Sequence, residues 1–177
     1  MIRMYGMRQF NIAVSKCAFS LGVMLLFFSL AVSAASLTTG ESLPGLNLPD
    51  QHGESHTLSN GNMVLFAPDK GAGELAHEVL NHTDKVEMAA KGIVFISDIS
   101  GMPTLVARMF ALPAMRQYPY LVLLGYEKED TAMFPRQEGR VTVLHIKAGK
   151  VSHIEYANSP ESLAGIIGIK IIPKTDS

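Results

Sequence analysis

Pro68-Asp69-Lys70-Gly71-Ala72-Gly73 links the apolar run 63–67 to a segment with helical spacing, and two chemistries use such a loop. One is anion binding: Gly71, Gly73 and Lys70 could offer backbone N–H groups and a charge at a helix N-terminus. The sequence lacks GxxxxGK[ST], and its Gly-x-Gly lacks the third glycine of the dinucleotide fingerprint. Asp69 and Glu74 would also repel a phosphate, so the glycines are read as permitting the turn. The other chemistry is thiol exchange, which needs a thiolate; the loop holds no Cys, Ser or Thr, and Cys17 is the only cysteine of the chain. Metal chemistry is no better supported. Glu74-x-x-His77 with Glu78 occupies one helical face, but di-iron bundles need Glu-x-x-His twice. His77 and His82 are five apart, on different faces. His52 and His56 flank a turn, and His145 and His153 fall on a terminal hairpin. No metal and no cofactor is expected, and Glu74, His77 and Glu78 are read as a solvated helix face.

The elements that position this loop follow from periodicity. Residues 63–67 read as a buried strand, after which Leu75, Ala76, Val79 and Leu80 share one helical face. Residues 92–97, GIVFIS, form a second strand ending at Asp98. A helix follows, with Ser100 as cap, Pro103 in its first turn, and Leu105, Val106, Met109 and Leu112 as its apolar stripe before Pro113. Met102, Met109 and Met115 suit either core packing or an adaptable binding surface. Residues 120–126, YLVLLGY, read as a third core strand, followed by the charged cluster 127–130 and a short extended run, TAMF. From Arg140 two extended stretches meet around Ala148-Gly149 as a hairpin, and Ser159-Pro160 opens a last helix. Upstream, 46–58 reads as a hairpin around Asp50-Gln51-His52-Gly53. The pattern is α/β, with a mixed sheet and helices on both faces.

Residues 1–34 read as an export signal: Arg3, Arg8 and Lys16 precede an uncharged stretch, and Val32-Ser33-Ala34 offers a cleavage site. Retention as a membrane anchor is the alternative, and either reading sends the remainder out of the cytoplasm. Cleavage removes three basic and no acidic residues, so the formal charge moves from −1 to −4. That acidity argues against nucleic acid and anionic membrane as partners. The expected organisation is a signal (1–34), a lead-in (35–45), one domain (46–168) and a tail (169–177). The mature chain would carry no thiol, hence no disulfide.

In order and spacing, LPGLNLPDQHGESHTLS, VLFAPDKGAGE, VFISDIS and GRVTVLHIKAGKVSHI together resemble the thioredoxin-fold group, including peroxiredoxins and membrane-tethered thiol oxidoreductases. The resemblance implies a thioredoxin-like three-layer α/β/α fold with a mixed central sheet and an N-terminal β-hairpin. It also implies that the Arg-x-Thr strand begins beside the loop that holds the family's cysteine. On that basis Asp69, Lys70, Asp98, Arg140 and Thr142 form the candidate binding cleft, at the carboxyl ends of parallel strands where α/β sheets bind ligands. Ordinary surface ion pairs are the alternative for these charges. Because the cysteines are missing, the chain resembles most the cysteine-less periplasmic proteins of this fold. The expected function is a non-redox binding or accessory protein in the bacterial envelope, with a protein or small-molecule partner. An enzyme of another class using the cleft, or a membrane-anchored partner protein, is the alternative.

Overall fold

The computed structural model describes residues 36–58 and 62–170; the expectations for the signal and for residues 171–177 lie outside the described residues. Strands β1 (Leu46–Pro49) and β2 (Ser55–Leu58) pair antiparallel as the expected entry hairpin. Asp50 closes its turn by accepting from the N–H groups of His52 and Glu54 and from His56 Nε2, at 2.7, 3.0 and 2.8 Å. The main sheet has the order β5-β4-β3-β6-β7. Its strands are β3 (Met63–Ala67), β4 (Ile93–Asp98), β5 (Leu123–Gly125), β6 (Val141–Lys147) and β7 (Lys150–Ala157). β3, β4 and β5 run parallel, while β6 and β7 are antiparallel to their neighbours, so the sheet is mixed as expected.

Alternation along β3 sets the two cores. Leu65 and Ala67 face one side with Ala72, Ala76, Val79 and Leu80 of α1 (Lys70–Leu80), Met88 of α2 (Lys85–Lys91) and Leu163 and Ile167 of α5 (Pro160–Ile167). Val64 and Phe66 face the other side, with Leu48, Leu58, Phe134 and Leu37. The second face is therefore covered by the entry hairpin, the lead-in and Met133 and Phe134, just after a 3-10 turn (Lys128–Thr131), rather than by the α-helices expected there. The helices gather on one side because α1, α2 and α5 each supply apolar residues to the same cluster.

Helix α2 is an element that periodicity did not bring out. Asp84 caps it by accepting from the Val86 and Glu87 N–H groups, each at 2.8 Å, and Gly92 ends it with φ 65°. The expected helix after β4 is broken into α3 (Thr104–Val106), a π-helical turn (Ala107–Ala111) and α4 (Leu112–Met115). In the π turn the Leu112 N–H reaches Ala107 O, five residues back, directly before Pro113. The expected apolar stripe does not pack as a unit: Leu105, Val106 and Met109 are exposed, Ala107 is buried, and Leu112 and Met115 rest against the core.

The strand expected over 120–126 shortens to β5, because Tyr120 and Val122 bond to a side chain instead of a strand. Gln51 Nε2 donates to Tyr120 O at 2.8 Å, and Val122 N–H donates to Gln51 Oε1 at 2.9 Å. The short run 131–134 is no strand either; a capping box between Glu127 and Asp130 commits it to the 3-10 turn. At the β6–β7 turn Ala148 takes φ 51° and Gly149 φ 73°. Asparagine tolerates this left-handed conformation better than alanine. Ala148→Asn should therefore stabilise the fold by about 0.5–1 kcal/mol in urea denaturation.

Candidate functional site

Asp69 fixes the Pro68–Gly73 loop. Its Oδ1 accepts from the Ala72 N–H at 3.0 Å as the N-cap of α1, and its Oδ2 accepts from the Gly139 N–H at 2.8 Å. One carboxylate thus ties the start of α1 to the segment entering β6. Lys70 is exposed and lies 3.4 Å from Glu74 one turn along.

The side chain of Asp98, at the end of β4, is 3% exposed and lies in a closed network. Arg136 Nη1 is 2.7 Å from Oδ2, the Thr131 hydroxyl donates to the same oxygen at 2.8 Å, and the Ser100 N–H donates to Oδ1 at 2.9 Å. Arg136 also donates from Nη2 to Thr131 and stands 5.1 Å over the Phe66 ring. Burial pushes the Asp98 carboxyl upward, but the bonds from Ser100, Thr131 and Arg136 outweigh it and hold the group below its ordinary value.

A groove of about 1240 Å³ runs from this loop along α1, with the α3–α4 segment as its far wall. Asp69, Lys70 and Asp98 line it; Arg140 and Thr142 do not. Arg140 is exposed, and the guanidinium that meets Asp98 is that of Arg136. Thr142 is fully buried, pairs with Phe66, and donates its hydroxyl to Pro135 O at 2.7 Å. The five residues are thus not brought together in one cleft.

The groove contains groups that the sequence reading placed elsewhere. His77, expected on a solvated face, stacks on Tyr118 with ring centroids 4.1 Å apart and bonds through Nδ1 to the Tyr120 hydroxyl at 2.7 Å. Tyr120 is buried, and a buried O–H needs an acceptor. Nδ1 is therefore the acceptor, and Nε2 carries the proton. Burial holds the His77 imidazole below its ordinary value of 6.5. Burial, then the charge of Glu74, raises Tyr118; burial, then Tyr118, raises Tyr120 strongly. The sequence signal for this cluster is the Tyr118-Pro119-Tyr120 run, of which periodicity assigns only Tyr120, to the strand expected over 120–126.

The sign of the pH effect follows. With its folded value depressed, His77 leaves stability intact above pH 6.5, and stability falls as pH drops toward the folded value, because the unfolded chain takes the proton first. Asp50 and Asp98 act only below 3.8, outside that window. His77→Gln, whose amide oxygen can still accept from Tyr120, should flatten the dependence of the urea midpoint between about pH 6.5 and pH 5. Identical slopes in both proteins would remove His77 as its source.

No protein-family profile and no curated protein matches the sequence. Solved structures do match. A protein provisionally described as a disulfide isomerase from Bacteroides thetaiotaomicron aligns over 75% of this chain and 87% of its own, at 16% identity and a TM-score of 0.52. The chain has a thioredoxin-like fold. A provisionally assigned thiol:disulfide interchange protein DsbE from Chlorobium tepidum aligns over 75% of this chain and all of its own, at 17% identity and a TM-score of 0.52. Peroxidoxin BcpB from Mycobacterium tuberculosis aligns over 74% and 94%, at 21% identity and a TM-score of 0.50. Within this thioredoxin-like fold the Pro68–Gly73 loop stands at the end of the central strand with no cysteine in it.

Proposed function

We propose that this chain is exported and works as a non-redox binding protein of the bacterial envelope, using the groove beside α1. The observation that carries this reading is the pairing of a thiol-free loop with an open groove whose far wall is apolar. Thiol exchange and thiol peroxidase chemistry require a thiolate nucleophile, and Cys17, the single cysteine, lies within the proposed signal. A thioredoxin-like scaffold without that nucleophile still presents a concave surface at the carboxyl ends of its parallel strands, where α/β sheets bind ligands.

Purified mature protein should reduce neither peroxide nor insulin disulfides, and its N-terminal mass should begin at residue 35. In the envelope, Phe110→p-benzoylphenylalanine should give a discrete photo-adduct that Ser152→p-benzoylphenylalanine, on β7, does not. Peroxidase or reductase turnover by the mature protein would overturn the reading, as would equal labelling from both positions.

A further inference from the structure

We propose that the groove receives an amphipathic helical polypeptide segment bearing lysine or arginine, an inference that rests on the binding role above and names its partner class. The first argument is size. The groove's volume of about 1240 Å³ exceeds the roughly 300–1,000 Å³ usual for small-molecule sites. An extended ligand fits it better than a compact one.

The second argument is the difference between the two walls. Along α1, Glu74 and Glu78 stand one turn apart on the groove side, and Glu161 at the start of α5 adds a third carboxylate. Like charges at this spacing repel one another, and a bound cation relieves them. Lys70 is the lysine on this wall, and it already lies beside Glu74. Across the groove the lining is Met102, Val106, Ala111, Ala114 and Met115, with Tyr118 below them. On the same helical segment, beside Val106 and Ala111, Leu105, Met109 and Phe110 are 69%, 58% and 66% exposed. Contiguous apolar exposure of this kind marks interaction surfaces, and thioethers adapt to varied partners.

The third argument is the mode of contact. Strand addition needs an open sheet edge. Beside β5, Gln51 occupies the groups of Tyr120 and Val122, and Asp50 bridges to Leu123. Beside β7, the lead-in takes Val151 N–H and O through Glu41 O and Gly40 N–H. The groove itself presents side chains rather than a sheet edge, so recognition there is of the kind in which a helix lies with its apolar face down. A second copy would set the same carboxylates against one another, and an anionic lipid surface would meet them directly; charge disfavours both.

The test uses three labelled 15-residue peptides with one helical pattern, Leu/Lys, Leu/Glu and Ser/Lys, titrated by fluorescence anisotropy into protein expressed from the full chain. The Leu/Lys peptide should bind at least about tenfold more tightly than either of the others. Glu74→Gln with Glu78→Gln should weaken it about fivefold or more and reduce its salt dependence. Val106→Ser should weaken it without altering the salt dependence. Both changes are at exposed positions, and unchanged urea midpoints would show that the fold is intact. Glu54→Gln with Glu129→Gln, remote from the groove, should leave binding unchanged.

Equal affinity for Leu/Lys and Leu/Glu, or an equal loss in the remote variant, would overturn the inference while leaving a binding role standing. Sedimentation as a dimer broken by Val106→Ser would assign the groove to a second copy. Binding to phosphatidylglycerol vesicles lost on the same change would assign it to lipid, and either result overturns the proposal. Peroxidase turnover or unselective photo-labelling would instead remove the binding role on which it rests.

Discussion

Gln51→Leu is expected to destabilise the fold by about 3 kcal/mol, although the position lies in a hairpin turn. The Gln51 amide donates to Tyr120 O and accepts from Val122 N–H, at 2.8 and 2.9 Å. Both partner residues are buried, and leucine satisfies neither backbone group. A buried polar group left without its partner costs about 1–3 kcal/mol, and two are orphaned here. Gln51→Glu keeps the acceptor for Val122 but loses the donor to Tyr120, so it should also destabilise. The checks are the urea midpoint at unchanged m-value and faster hydrogen exchange of the Val122 amide. A loss under about 1 kcal/mol would mean that these groups find other partners.

Arg136→Ala should cost about 2–3 kcal/mol near neutral pH. Removing one member of a buried ion pair typically costs about 3–5 kcal/mol, because the other charge is left unpaired. The estimate here is lower because the Arg136 side chain is 39% exposed and water screens part of the interaction. Asp98 would keep the Thr131 and Ser100 bonds but lose its cation. The two proteins should then respond differently to acid. In the wild type Asp98 is held below its ordinary value of 3.8, so its contribution is present above that pH and is lost as pH falls. In the variant the unpaired carboxylate is the damage, and protonating it relieves the damage, so the stability gap should narrow as pH falls. Asp98→Asn combined with Arg136→Met should recover part of the loss at neutral pH. A gap that is constant with pH would show that the cost comes from lost packing over Phe66 rather than from charge.

Elements closed by their own local chemistry were legible in the sequence. Ser159 accepts from the Ser162 N–H ahead of Pro160, and Ala148-Gly149 forms the turn of the β6–β7 hairpin. Both entail only neighbouring residues. Helix α2 was equally local, with Asp84, Glu87 and Gly92 in place, but its seven residues are too few for an apolar period to stand out. The candidate site depended on longer paths. Asp98 meets Arg136 because a 3-10 turn and an irregular loop carry the chain back past the end of β4, and no periodic signal describes such a path. The resemblance placed Arg140 by motif order, and this order holds while the ion partner comes from four residues earlier. His77 and Tyr120 are 43 residues apart, so their bond depends on α1 and the β5 entry meeting over one core.

The π turn at Ala107–Ala111 sets a phase as well as a bend. A uniform α-helix advances about 100° per residue, and the wider turn takes up one residue beyond that count. Upstream of it, Leu105 and Val106 are exposed, as is Met109 within it; downstream, Leu112 and Met115 pack against the core. What the far wall of the groove presents is therefore governed by residue count more than by composition. Deleting Arg108 would leave every leucine, methionine and phenylalanine of the wall in place, yet rotate the two halves by about 100° relative to one another and turn the exposed set onto a different side.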